Sequence, residues 1–581
     1  MPQNIILLSD GTGNSASKLF KTNVWRVYQS LDLSETGPAD PNRQKQIAFY
    51  DDGVGTSSFK PLAILGGAFG WGTKRNVLDL YTFLCRHYRN GDSIYCFGFS
   101  RGAFTIRVLT GLIDSEGLVQ ADTDGERRHL AAEAFRAHRA KHYKGNSFIT
   151  TFFRFLRWVI LSVWYKLSGK KPYTDENNIK EVHLKFLGLW DTVAAYGLPI
   201  DELTHAWNFI FPLSFPDRNL SKIVDCAYHA LAIDDERLTF HPELWNEKKE
   251  DYEEYPDDIP LGDRLNQVWF AGMHSNLGGG YPDDGLSQVS LNWIMDKAEL
   301  LGLSFSRHER RRFKELASVK GKKYDSRRGL GGAYRYMPRK IDELTHDNEH
   351  GKKKGNERKI DRVVIDTPKI HESVFMRIAD NVDGYAPIGL PKKYQVVAMD
   401  GSIIDPRETP IQSEDRSNRE EELWNSVWRK RVVYFLTVFA FIALATFPIY
   451  LPVAEACKSR FCFLSPLIGS IGTFLPGFLD AWIKAYQSHP GFFLLIVIIL
   501  SGLLFLASRL QRKIFDGMRI IFDKPELHNP AALPTDFIYN FRTNKSLKKL
   551  SKFWKEKLVP ALLLAVIVVV ALYGLSRGIF R

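Results

Sequence analysis

Gly98-Phe99-Ser100-Arg101-Gly102 is a Gly-x-Ser-x-Gly pentapeptide between the strand-like run SIYCF and the helix-forming run RGAFTIRVLTGLI. That setting suits a nucleophile elbow, a sharp turn that holds a serine hydroxyl above a sheet; small flanking residues let strand and helix approach. Serine is a weak nucleophile at neutral pH and needs a base. Of the 15 histidines, His274 opens the glycine-rich segment HSNLGGGY directly after the apolar run QVWFAGM. A base on a loop after a late strand fits that place, and so does a histidine that only caps a glycine turn. His229, in YHALAIDDERLTF, is the alternative base and reads as a core residue. An imidazole base needs a carboxylate to fix its tautomer and stabilise its charged form. Asp191 ends the run KFLGLW in the motif WDTV and gives the chain order Ser, Asp, His. A plain helix cap is the other use of an Asp there.

Attack on an ester also needs donors for the developing oxyanion. The backbone N–H of Arg101, just after the serine, is one expected donor. Gly11 and Thr12 in SDGTGN, after the early run NIILL, are placed to supply the second. Asp10 in the same segment would orient the site from behind or ligate a metal. Asp51, Asp52, Asp283 and Asp284 also follow strand ends or glycine runs. Several carboxylates at one rim would suit a divalent cation, while Asp-Gly pairs are also ordinary turn formers. We assign no metal ligand and expect no cofactor, the cation staying open.

These residues need a scaffold that brings them together. Residues 1 to about 120 alternate strand and helix signals, which argues for a parallel sheet covered by helices on both faces. Residues 121–180 interrupt the pattern with a polar helix and then the aromatic-rich run FITTFFRFLRWVILSVWYKL, read as a lid or interfacial helix or else as a core helix. The pattern resumes in VHLKFLGLWDTV, IVDCAYHALAID and QVWFAGMHSNLGGGY. In each the interesting residues fall at the carboxyl end of a strand, where open α/β sheets bind ligands. The basic stretch 306–360 reads as exposed. The expected organisation is an α/β, α/β-hydrolase-like domain at 1–400 with the helical insertion 121–180, a charged linker at 401–430, and a membrane region at 431–581.

Within that last region three apolar runs, 431–453, 491–508 and 558–576, have the length a bilayer demands. FLSPLIGSIGTFLPGFLDAWI, with Pro466, Pro476 and Asp480, reads as re-entrant or interfacial. Arg429, Lys430 and Arg431 precede the first run, Arg509, Arg512 and Lys513 follow the second, and six lysines between Lys545 and Lys557 precede the third. The positive-inside bias puts these flanks, and with them residues 1–430, in the cytoplasm, with CKSRFC outside. Cys457 and Cys462 would then face an oxidising space that permits a disulfide, while Cys85, Cys96 and Cys226 read as buried thiols. The N-terminus lacks a basic region and a long apolar run, so it reads as a first strand and not a signal peptide. The formal charge of +12 comes with Lys and Arg clustered beside the apolar runs and without zinc-finger or helix-turn-helix spacing, which points to a membrane and away from nucleic acid.

Taken together, SDGTGN, GFSRGA, LGLWDTV, HALAIDDERLTF, VWFAGMHSNLGGGY and YAPIGLP, in order over about residues 4–392, resemble an α/β-hydrolase domain family that includes phospholipase effectors of bacterial type VI secretion. The resemblance implies a Ser–Asp–His hydrolase with lipid esters as substrates in some members, and places Ser100 on the nucleophile. Asn276 departs from it where an Asp is expected, and so does the C-terminal apolar region. The expectation is a membrane-anchored serine hydrolase acting on lipid or other esters. Its rivals are a hydrolase-like sensing module on a membrane pore or complex, and a cation-dependent phosphodiesterase. Oligomeric state is left open.

Overall fold

In the computed structural model the described residues are 2–11, 19–33, 44–53, 71–142, 173–194, 215, 218–248, 264–347, 363–406, 408–454, 457, 459–523 and 530–559. The first apolar run forms strand β1 (Gln3–Ser9). Ile5 and Leu7 pack in one core, Ile6 and Leu8 in a second. This is the period-two alternation of a strand buried on both faces, which explains why the sequence reads as continuously apolar.

Further strands are β2 (Lys45–Asp51), β3 (Ser93–Phe99), β4 (Leu184–Trp190), β5 (Val224–Ala232), β6 (Leu265–Phe270), β7 (Lys369–His371), β8 (Gln395–Val397) and β9 (Ile403–Ile404). They form one nine-stranded sheet in the order β9-β8-β7-β6-β5-β4-β3-β1-β2. Every pairing is parallel except β8 with β9. Helices α1 (Asn23–Ser30), α2 (Trp71–His87), α3 (Arg101–Glu116), α4 (Asp124–His142), α5 (His274–Gly278), α6 (Gly285–Leu300), α7 (Arg307–Leu316) and α8 (Glu372–Ala379) accompany it. Residues of α2, α3 and α4 fill the first core, and residues of α1, α6 and α7 the second. The protein is therefore of the α/β class, a mostly parallel sheet with helices on both faces.

Strand order reverses between β1 and β3, since β2 lies beyond β1 and β4 beyond β3. Parallel strands put their carboxyl ends on one edge, and the crevice at such a reversal is where an open α/β sheet holds ligands. Asp10 follows β1, Ser100 follows β3, Asp191 follows β4 and His274 opens α5 after β6.

By compactness the chain divides into two units. One comprises Met1–Tyr334, Pro338–Ser413 and Lys545–Arg581; the other Arg335–Met337 and Glu414–Asn544. Residues 410–430, expected as a linker, are helical, part of α9 (Pro410–Ala445). The same charges that suggested a linker support the helix through i,i+4 pairs, Arg416 with Glu420 and Asp415 with Arg419.

The apolar run expected to span at 431–453 is not one helix. α9 ends at Ala445, and α10 (Phe447–Tyr450) follows with Pro448 in its first turn. Proline carries no N–H for a helical bond and its ring crowds the preceding turn. The carbonyls freed by the break are taken up by side chains: Tyr450 Oη donates to Ala443 O, Tyr486 Oη to Leu444 O at 2.9 Å and Trp482 Nε1 to Ala445 O at 2.7 Å. Short helices α11 (Ser465–Gly472) and α12 (Asp480–Ser488) lead into α13 (Pro490–Asp523). Among the described residues α13 is the one helix long and apolar enough to cross a membrane by length and composition. The expected span 558–576 and the segment 148–167 lie almost entirely outside the described residues. Cys457 and Cys462 are joined by a disulfide; Cys85, Cys96 and Cys226 form none, and of these three, all expected as buried, Cys96 is buried while Cys85 and Cys226 are half-buried.

The elbow rests on glycines with no room for a methyl group. A Cβ on Gly102 would fall 2.0 Å from Ser9 O and 2.5 Å from Asp10 O, both backbone atoms of the neighbouring strand end. Gly125, near the start of α4, has nothing within 4 Å of the same position. Gly102→Ala should cost several kcal/mol, more than the ~1–3 kcal/mol of ordinary overpacking because backbone cannot yield as a side chain does. Gly125→Ala should be neutral or stabilise by up to ~1 kcal/mol. Thermal melting of the two variants beside the parent checks the contrast.

Candidate active site

Ser100 lies at φ 59°, ψ −124°, between the last residue of β3 and the first of α3. A non-glycine residue at positive φ is strained and persists only where its surroundings fix it. Here Ser100 N–H donates to Trp190 O at 3.0 Å and Ser100 O accepts from Phe104 N–H at 3.3 Å, while Gly98 and Gly102 let strand and helix close around it. The hydroxyl thus projects from the carboxyl edge of the sheet. Its Oγ is 2.8 Å from His274 Nε2.

His274 is buried, between Phe99 at 4.7 Å and Phe240 at 5.0 Å between ring centres. Its Nδ1 is 2.6 Å from Asp191 Oδ2, and its backbone N–H donates to Asp235 Oδ2 at 3.2 Å. Asp191, also at positive φ (42°), is held by its N–H to Ala230 O at 2.8 Å. The structure therefore brings Ser100, His274 and Asp191, far apart in the chain, into one hydrogen-bonded line.

Asp191 has no exposed side-chain surface. Burial alone would raise its pKa, but the Arg339 guanidinium, together with hydrogen bonds from His274 and Arg339, holds it well below the usual carboxylate range. Arg339 Nη1 is 2.7 Å from Oδ1 and Nη2 is 2.8 Å from Oδ2, a bidentate pair. His274 is pushed below the usual imidazole value by burial, with the Asp191 hydrogen bond and charge opposing. It is therefore neutral at physiological pH, the state in which an imidazole accepts a proton.

The expected oxyanion donors fare differently. Arg101 N–H begins α3 immediately after Ser100, and the Arg101 guanidinium, lowered by burial to about 10, stays charged at neutral pH. Gly11 N–H is engaged, donating to Asp10 Oδ1 at 2.6 Å, so it does not stand ready as a second donor. Thr12 lies outside the described residues. Asp10 is buried and accepts from Thr22 Oγ1 at 2.5 Å and Tyr50 Oη at 2.7 Å. Burial, only partly offset by these bonds, raises its pKa to about 7. Asp51 accepts from Ser9 Oγ at 2.8 Å and Asn76 Nδ2 at 2.7 Å, and burial raises it to about 6. Asp284 pairs with Arg26, and the Asp283 N–H donates to Tyr324 Oη at 3.2 Å. Among the described residues no group of three or more His, Cys, Asp or Glu side chains could hold a metal ion.

His229 is buried, and both its ring nitrogens are engaged, Nε2 with Thr192 and Nδ1 with Gln267. Its Nε2 accepts from Thr192 N–H at 3.1 Å and burial pushes it down to about 3, so it stays neutral as a core residue. Asn276 uses both ends of its amide: Oδ1 accepts from Met273 N–H at 3.2 Å and Nδ2 donates to Lys322 O at 3.2 Å. A carboxylate there could not make the second bond, which gives the departure at this position a local reason.

Sequence reasoning missed three contributors. Arg339 lies in the stretch 306–360 read as exposed, yet its side chain is fully buried. Asp235 takes the His274 amide and pairs with Arg237 at 2.7 Å. Tyr385 Oη donates at 2.9 Å to Asp234 Oδ2, which accepts Gly272 N–H at 2.6 Å. The only signal for Asp235 was its place after a strand end; Arg339 stood among many cations with no period or spacing to single it out.

Because Asp10 holds its proton more tightly folded than unfolded, its stabilising contribution is complete below the ordinary carboxylate pKa and is lost as pH rises toward 7. Asp10→Asn removes that loss. The unfolding free energy of the parent, measured by denaturant melts, should fall relative to the variant between pH 5 and 7, at on the order of 1 kcal/mol per pH unit, and run parallel to it above pH 8. Parallel curves throughout would contradict the buried, protonated carboxyl.

The family model for the catalytic domain of Tle1-like phospholipase effectors of type VI secretion matches residues 3–297. An uncharacterized protein of Saccharomyces cerevisiae is 26% identical over 255 residues, which cover 41% of this chain and 32% of the yeast protein. A crystal structure of an uncharacterized protein from Pseudomonas aeruginosa aligns at 17% identity and a TM-score of 0.32, over 55% of this chain and 49% of that one. The chain thus spans about a third of the yeast relative's length.

Proposed function

The chain belongs to the family of Tle1-like phospholipase effector catalytic domains of type VI secretion, and on that premise we propose that it is a membrane-anchored serine hydrolase that cleaves carboxylic esters of lipids or phospholipids. The observation that carries this reading is the position of His274, 2.8 Å from the hydroxyl of an elbow serine on one side and 2.6 Å from a buried carboxylate on the other.

In the proposed reaction Ser100 Oγ attacks the acyl carbonyl carbon while its proton passes to His274 Nε2. Asp191 stabilises the imidazolium through Nδ1–H. The tetrahedral intermediate collapses as His274 returns the proton to the leaving alcohol, which departs and leaves an acyl ester on Ser100. Water, deprotonated by the same imidazole, then releases the fatty acid and restores the serine. Arg101 N–H, at the amino end of α3, is the proposed first oxyanion donor, helped by the positive end of the helix dipole.

The membrane part of the proposal rests on α13, whose apolar window is wholly unburied, and on the exposed Phe474, Phe478 and Phe505. Arg509, Arg512 and Lys513 lie in α13 beyond its apolar part, which favours a cytoplasmic carboxyl end. The Cys457–Cys462 bridge fits an oxidising space at the other end.

Ser100→Ala should lower turnover of a fluorogenic phospholipid by a factor on the order of 10⁶ if the three residues act as a unit. A fluorophosphonate probe should label the parent at Ser100 and leave the folded variant unlabelled. No labelling of folded parent protein would instead support a non-catalytic binding module. In sealed right-side-out vesicles, a membrane-impermeant thiol reagent should reach Cys457 and Cys462 only after an external reductant opens the bridge. Immediate labelling without reductant would reject the oxidised outer loop.

A further inference from the structure

Asp191 serves more partners than a base alone requires. Its oxygens accept from His274 Nδ1, from Ala232 N–H at 3.1 Å and from both terminal nitrogens of Arg339. The same two nitrogens donate to Ala232 O and Phe240 O. Arg339 therefore ties the carboxylate to the end of β5 and to the turn whose Phe240 ring packs on His274. It also lies beyond residue 297, where the family match ends.

We propose that Arg339 is a positioning residue of the hydrolase: its guanidinium fork fixes the plane of the Asp191 carboxylate so that Oδ2 faces His274 Nδ1. This rests on the reading that Ser100, His274 and Asp191 carry out the hydrolysis.

The reason lies in the resting state. To accept a proton from Ser100, His274 must be neutral. A neutral imidazole leaves Asp191 as a buried anion, and an uncompensated charge without water is costly. Without another cation nearby, the least costly relief is for the pair to hold an extra proton, which spoils the base. Arg339 supplies the cation permanently, because a guanidinium does not deprotonate in this range. Asp191 can then stay ionised while His274 stays neutral. Fork geometry matters as well as charge. Two parallel bonds fix the carboxylate plane, and lysine, a point charge on a flexible stem, fixes neither angle nor plane.

The test uses the full chain in detergent and follows the second-order rate of fluorophosphonate reaction at Ser100 against pH. Arg339→Gln should slow the reaction about 10²-fold at neutral pH, the usual scale for removing the group that orients a reacting residue. It should also move the midpoint of the acid limb upward by about one pH unit, since the Asp191–His274 pair then takes up its proton more readily. Arg339→Lys should keep the parent midpoint within a few tenths of a unit yet react about 10-fold more slowly. In an Asp191→Asn background, Arg339→Gln should change the rate less than about 3-fold, because the residue acts through that carboxylate.

Parent rate and midpoint in Arg339→Gln would overturn the proposal, as would an equal loss in both backgrounds. Should Arg339→Gln fail to fold by near-ultraviolet circular dichroism, Arg339→Lys decides: an unchanged rate overturns the proposal, and a slower rate at an unshifted midpoint supports it. A parent protein that folds but does not react at Ser100 fails the hydrolase reading itself, an outcome distinct from failure of Arg339 alone.

Discussion

One buried negative charge organises the carboxyl edge of this sheet. Asp191 has no exposed side-chain surface, sits at positive φ and faces both an imidazole and a guanidinium. Ionising a carboxyl there is unfavourable unless cations and donors surround it. The ends of β4 and β5, the 240 turn, the opening of α5 and the segment at Arg339 all converge on that requirement. Any one of these contacts contributes modestly. Losing a partner would leave a charge buried without compensation, so together they fix the geometry more firmly than their separate strengths suggest.

The sheet makes the convergence possible. Parallel strands β3, β4, β5 and β6 are successive neighbours, so residues widely spaced in sequence emerge side by side at one edge. The elbow at Ser100 needs the closest approach, and there the chain has glycine. Gly98 would drive a Cβ 2.6 Å from Ala103 Cα, and Gly102 would drive one into the end of β1. Next to it Asp10, Thr22 and Tyr50 form a second buried polar cluster, in which the two hydroxyls donate to the Asp10 carboxyl. The consequence is opposite: the carboxyl with a guanidinium is held ionised, and the one surrounded by hydroxyls is pushed toward its neutral form. Two aspartates directly after strand ends read alike in sequence, and only their neighbours separate them.

That contrast marks how far the sequence could be read. The alternation of strand and helix, the elbow motif and the place of His274 shortly after a strand end were legible because each depends on residues adjacent in the chain, although His274 opens a short helix and not a loop. Arg339 was not, because its role depends on a contact with Asp191 across 148 positions, and it sits in a run whose composition suggests solvent. Gly11 is a related case. A glycine after β1 reads as a free amide, but the carboxylate of the preceding residue turns back to take that N–H. The helix at 410–430 was missed because composition weighs charges singly, whereas a helix pairs them four residues apart.

The same limit applies to the apolar C-terminal region. A hydropathy window sees 431–453 as one stretch long enough to cross. Backbone geometry counts differently: beyond Arg431, α9 continues for only roughly 14 residues, about 21 Å of helix against the ~30 Å of a hydrocarbon core. Pro448 ends the run, and the carbonyls of Ala443, Leu444 and Ala445 turn to Tyr450, Tyr486 and Trp482. In water those carbonyls would need no such partners. In hydrocarbon each unsatisfied carbonyl is costly, so a helix can end there only if side chains replace the missing backbone donors. The aromatic donors at this break are thus what the proposed membrane setting demands of an incomplete crossing. They favour that setting independently of the hydropathy of α13, because they answer to backbone chemistry and not to apolar composition.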